Sequence, residues 1–166
     1  MDDPNTTYCD GIRWLSVDDL VKLNQQLIER YTPSEKAGVF NLGLLESAHM
    51  RPAEWAYRAQ SRDMACIAAM AMIAICLNHP FHNANKRTAF AAGRMLMLMN
   101  GYHFDPPGVE VLEVMVEIAK GEDPTFRDPT YLGSWVADHA TRAPLDDLPL
   151  ETAYEYVLGG NDETGT

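Results

Sequence analysis

Residues 79 to 87, His-Pro-Phe-His-Asn-Ala-Asn-Lys-Arg, bring together groups that handle protons and anions. They stand between two apolar runs, Met64 to Leu77 and Ala89 to Met99. A polar loop between two buried helices has little reason to be rich in His, Asn, Lys and Arg unless it meets an anion. A helix beginning near Asn85 would start with backbone N–H groups that lack intrahelical partners and carry the positive end of the helix dipole. Such an end attracts phosphate. Lys86 and Arg87 add full charge, and the planar fork of Arg87 can take two phosphate oxygens. Histidine as a residue type titrates near neutrality, so His79 could accept a proton from an attacking hydroxyl. The chemistry expected is a base beside a polyphosphate. A transition-metal site built on His79, His82, His103 and Asp105 is the weaker alternative, because Pro80 disfavours a regular helix there and the His-Glu-x-x-His pattern is absent.

These residues resemble the signature of the Fic/Doc family, His-Pro-Phe-x-(Asp/Glu)-(Gly/Ala)-Asn-(Gly/Lys)-Arg, at eight of its nine positions. The ending Ala84-Asn85-Lys86-Arg87-Thr88-Ala89 is most similar to the Doc branch, and Gly43-Leu44-Leu45-Glu46-Ser47-Ala48 with Arg51-Pro52 resembles the segment before its substrate flap. The resemblance runs over about residues 14 to 142. It implies a helical Fic fold, ATP as co-substrate with magnesium, a protein substrate, and a phosphate- or nucleotide-transferring enzyme. His79 would be the catalytic base. Ala84, Asn85, Lys86 and Arg87 would bind phosphate, and Leu44 and Arg51 would belong to the flap that receives the target peptide, with an exposed backbone edge for an added strand.

One departure matters. Asn83 stands where the family has a carboxylate. Hard cations prefer anionic oxygens, so an amide there makes a weak magnesium contact and leaves a non-catalytic nucleotide-binding protein as the rival expectation. Lys86 points toward Doc-like phosphate transfer rather than AMP transfer, and so does Phe90, where many AMP-transferring members carry a second Arg. The resemblance then implies a toxin acting on a protein such as a translation factor, held in check by an antitoxin. The family's built-in inhibitory pattern, (Ser/Thr)-x-x-x-Glu-(Gly/Asn), is approached only by Thr6 to Gly11, with Asp10 for Glu, so restraint is expected from a separate partner.

The elements that must position this loop read as helices throughout. Ser16 with Asp19 makes an approximate capping box, and Leu20, Leu23, Leu27 and Ile28 then share one face. That helix stops at Thr32-Pro33-Ser34, and residues 35 to 43 read as a loop. Leu44 to Met50 reads as a short helix stopped by Pro52. A central helix over about 62–77, apolar on nearly every side, belongs in the middle of a bundle. Helices follow over about 85–99, ending at Asn100-Gly101, over Val109 to Lys120, and from Asp128-Pro129 to about Ala140. The chain divides into an N-terminal extension (1–13), a helical domain (14–142) and an acidic tail (143–166). The tail has six acidic and no basic residues and reads as mostly solvated, although Tyr154, Tyr156, Val157 and Leu158 offer it something to bury.

A net charge of -11 argues against nucleic acid and anionic membranes as partners, since both need a basic face. The positive charge is partly local, at Lys86, Arg87 and Arg94, which favours a small anion. Cys9, Cys66 and Cys76 have no metal spacing, and the last two, on one helix, lie about 15 Å apart, too far for a disulfide. Met1-Asp2-Asp3-Pro4 opens no signal peptide, and the cytoplasm is the expected location.

Overall fold

The computed structural model describes residues 7–9, 11–143 and 150–159. Strands β1 (Thr7–Cys9) and β2 (Ile12–Trp14) pair antiparallel and lead to α1 (Val17–Tyr31). The expected capping box is present in full: Ser16 Oγ accepts from Asp19 N at 3.0 Å and Asp19 Oδ2 from Ser16 N at 2.8 Å. Helix α2 (Leu42–Ala59) follows, then α3 (Met64–Asn78) and α4 (Asn85–Met99). Strand β3 (Tyr102–Phe104), α5 (Gly108–Lys120), a 3-10 turn (Pro124–Arg127) and α6 (Pro129–Asp138) come next. Strand β4 (Ala140–Arg142) pairs with β3, and α7 (Leu150–Gly159) closes the described chain.

The fold is all-α, a Fic-like bundle around α3. The apolar circumference of α3 demands enclosure, and α2, α4, α5 and α6 all pack on it. Eleven of its 15 residues are buried. Asp63 caps its start through Oδ1, which accepts from Ala65 N and Cys66 N. Helix α6 can approach because Gly133 has no Cβ: one built there would sit 3.0 Å from the Cα and 3.1 Å from the N of Cys66.

Three expectations need correction. Helix α2 does not stop at Pro52 but starts at Leu42 and runs through it to Ala59. A proline in a helix interior costs about 3 kcal/mol, because its nitrogen has no hydrogen for the carbonyl of residue 48. The burial of Leu45, Ala48 and Pro52 where α2 lies on α3 offsets that cost. Helix α6 ends at Asp138, before Ala140, since Ala140–Arg142 is taken up by pairing with β3. Residues 150–159 form a helix rather than a solvated stretch, with Ala153, Tyr154, Val157 and Leu158 buried and α4 and α1 against it. Thr7–Cys9, the core of the segment nearest the inhibitory pattern, is strand, while Thr6 and Asp10 lie outside the described residues.

Candidate active site

The motif loop is held by its own side chains. Helix α3 ends at His79, whose backbone is left-handed (φ 52°, ψ 51°) and whose N–H still reaches Ile75 O at 3.2 Å. The His79 ring nitrogen Nδ1 lies 3.2 Å from Cys76 O. A carbonyl only accepts, so Nδ1 carries the hydrogen, and in the neutral ring Nε2 then has the lone pair, on an exposed residue. Phe81 is buried as the loop's anchor. Its N–H donates to Asn85 Oδ1 at 2.9 Å and its carbonyl accepts from Asn85 Nδ2 at 3.0 Å. The Asn85 side chain therefore braces the loop from inside. Only the Asn85 backbone is left for an anion.

The N-cap of α4 is Ala84, itself left-handed (φ 59°, ψ 32°), and it makes no side-chain cap. The N-caps of α1, α2, α3 and α6 (Ser16, Asn41, Asp63 and Asp128) all have one, whereas α5, behind Pro107, also lacks one. The first turn of α4 thus keeps its dipole and has no side-chain cap on its amides, with Lys86 exposed beside them. Arg87 was expected to await an anion, but it already has one. Its Nη2 lies 3.5 Å from Glu35 Oε2 and 3.2 Å from Thr32 Oγ1. A cation in a first helical turn is repelled by the dipole, and Glu35 supplies the compensating charge.

Arg94 does not belong to this positive centre. It is 3% exposed and donates from Nε to Phe104 O at 3.0 Å and from Nη1 to Val157 O at 3.4 Å. Burial lowers its pKa, and Asp105, 3.6 Å away, acts against that shift. Arg94 ties α4 to β3 and α7, a structural duty that its charge alone did not reveal. Phe90 is buried edge-on to Phe104.

The chain between α1 and α2 runs antiparallel along the motif loop. Val39 bridges Phe81, with Phe40 N bonded to Pro80 O at 2.8 Å and His82 N to Gly38 O at 3.1 Å. In this pairing the N–H and C=O of Val39 turn away from Phe81, toward the outer edge. Residues 42 onward are helical, so Leu44 and Arg51 offer side chains but no strand edge; the extended part of the flap is limited to residues 38–41. Leu44 instead accepts from Asn78 Nδ2 at 2.9 Å, and Arg51 is exposed. Phe40 (66% exposed) and Leu42 (55%) stand out from the flap, and His82 packs edge-on against Phe40.

Sequence reasoning missed Asn24. It lies on the buried face of α1 and is wholly enclosed. Its Nδ2 donates to Asn83 O at 2.9 Å and Thr88 Oγ1 at 3.1 Å, and its Oδ1 accepts from Gly38 N at 3.0 Å. One amide thus joins α1, the motif loop, α4 and the flap. A polar residue inside the stripe Leu20, Leu23, Leu27, Ile28 was the available signal.

Among the described residues no group of three or more His, Cys, Asp or Glu could hold a metal ion. His103 is instead hydrogen-bonded to Tyr156 through Nδ1. Cys66 and Cys76 are free and buried, and desolvation, aided by Asp63, pushes the Cys66 thiol up to about 11, far from a reactive thiolate. No described helix is long and apolar enough to cross a membrane.

The sequence profile of the Fic/DOC family matches residues 14–97, from β2 through the motif and most of α4. The chain belongs to the Fic/DOC family. No curated relative matches it. The Fic/DOC family is generally one of transferases.

Proposed function

We propose that this Fic/DOC protein is Doc-like: it binds a nucleoside triphosphate at the start of α4 and transfers a phosphate to a Ser or Thr hydroxyl of a target protein. The observation that carries this reading is the uncapped first turn of α4, flanked by Lys86 and Arg87, in the loop whose histidine keeps Nε2 free. The target's hydroxyl oxygen attacks the γ-phosphorus, and His79 Nε2 takes its proton. The bond to the bridging oxygen breaks and the nucleoside diphosphate leaves. The amides of the first turn, with Lys86 and Arg87, hold the phosphates and stabilise the charge that develops. The outer edge of residues 38–41 would receive the target as an added strand, beside Phe40 and Leu42.

Lys86 supports transfer of phosphate over AMP, since a long ammonium side chain takes space that a nucleotide in the AMP-transferring pose would need. Phe90, buried in the core, supports it too, because no second arginine stands there to hold a phosphate. Magnesium would enter with the nucleotide. The residues fit a dedicated magnesium site poorly: Asn83 offers one neutral oxygen, and Glu35, the carboxylate of the facing loop, is committed to Arg87. Restraint would come from a partner such as an antitoxin segment that folds over the motif.

A non-catalytic nucleotide binder is the second reading, favoured by Asn83, whose Nδ2 is committed to Lys36 O at 3.0 Å. Titrating ATP with and without magnesium, then following γ- and α-labelled nucleotide onto a target, separates the readings. Transfer of the γ-label supports the proposal. Transfer of the α-label makes the protein an AMP-transferring enzyme, and binding with no transfer supports the binder.

A further inference from the structure

The amide at position 83 has a partner that a carboxylate could not have. Asn83 Nδ2 donates to Lys36 O across 47 positions of sequence. An Asp or Glu has no hydrogen to give, so the residue type expected for holding a cation would lose this bond. Beneath it, Asn24 receives Gly38 N and donates to Asn83 O, so the two asparagines grip the α1–α2 chain at Lys36 and Gly38. Gly38 turns there with φ at +101°, a backbone that side-chain-bearing residues rarely adopt. From Gly38 the chain passes directly to the extended pairing of Val39 with Phe81.

We propose that Asn83 is a positioning residue: with Asn24 it clamps the flap onto the motif loop and fixes the edge at residues 38–41 before a target arrives. The substitution of amide for carboxylate then exchanges metal-holding capacity for a preformed docking edge. A preformed edge spares the target the entropy of ordering the loop. The clamp stands on the hydrogen bonds alone. Its consequence for the target rests on the transfer reading above, and the experiment keeps the two apart.

Native-state hydrogen exchange of the Gly38, Phe40 and Asn41 amides reads the clamp without any reaction. The Asn83–Lys36 bond is solvent-exposed, so its net worth is modest and the expected change is small. N83A and N83D should speed exchange at those three amides roughly two- to tenfold, with the α3 amides unmoved, and N83Q should restore part of the protection. Where transfer is measurable, the target KM in N83A should rise more than kcat falls. Unchanged flap exchange in both N83A and N83D would overturn the clamp, and so would equal acceleration in α3, which would make Asn83 merely structural. Faster flap exchange without any detectable transfer would leave the clamp standing and count against the enzyme reading alone.

Discussion

Glu35→Gln should tighten the binding of a nucleoside triphosphate or pyrophosphate, because Glu35 occupies Arg87, which the proposed phosphate site uses. The size of the effect follows from the geometry. Arg87 Nη2 and Glu35 Oε2 are 3.5 Å apart, with side chains 38% and 41% exposed. Two unit charges at that distance in bulk water attract by about 1.2 kcal/mol, and measured exposed pairs give about 0.2–1 kcal/mol once side-chain entropy is included. Glutamine keeps an oxygen for the Thr32 hydroxyl, which now donates to Glu35 at 3.1 Å, so the turn should survive. Releasing Arg87 should therefore lower the Kd by roughly 1.5- to 5-fold. Isothermal titration with pyrophosphate and with ATP, at low ionic strength and again near 0.15 M salt, reads the change. The gain should shrink with salt, because exposed charges are screened. An unchanged or weakened affinity at low salt would show that Glu35 does not compete for this site, and with it the placement of the anion beside Arg87 would fall.

Three further outcomes are expected. His79→Ala should cut transfer by roughly 10²–10⁴ while ATP binding, followed by titration, stays near the native value; transfer at the native rate would remove His79 as the base. Lys86→Gly should move the reaction toward AMP transfer, read by mass spectrometry of the target, and an AMP adduct from the native protein would sink the assignment to phosphate transfer. Gly133→Ala should destabilise the fold by about 1–3 kcal/mol, seen as a lower denaturant midpoint, because the new Cβ meets the backbone of Cys66 where α6 crosses α3; an unshifted midpoint would mean the two helices separate without cost.

The parts of this fold that the sequence announces are those decided within one turn of chain. Ser16 with Asp19, Asn100-Gly101 and Asp128-Pro129 each stand at an observed helix boundary, because a cap is a contact between near neighbours. Misreadings arise where a distant partner outweighs the local signal. Pro52 carries a strong local stop, yet α2 gains more by lying along α3 than the missing hydrogen bond costs. The acid count of the tail hides the spacing of Ala153, Tyr154, Val157 and Leu158, which puts four buried side chains on one face of α7. Arg94 shows the same gap for charge: the sequence gives its sign, and only the fold gives it Phe104, Val157 and Asp105.

The candidate site divides along the same line. The placement of His79, Ala84, Lys86 and Arg87 around the start of α4 is legible because loop and helix start are contiguous. Glu35 and Asn24 act from 50 or more positions away, on an element whose register against the motif no local pattern states. Asn24 nevertheless left a trace. An amide among Leu20, Leu23, Leu27 and Ile28 loses its water on folding, so it must find partners for two donors and an acceptor. Those partners can only be polar groups brought to the same face by other segments. In this chain they are Gly38 of the flap, Asn83 of the motif loop and Thr88 of α4. A buried asparagine in an apolar stripe is thus a pointer to a junction of elements, and here the junction is the one on which the site is built.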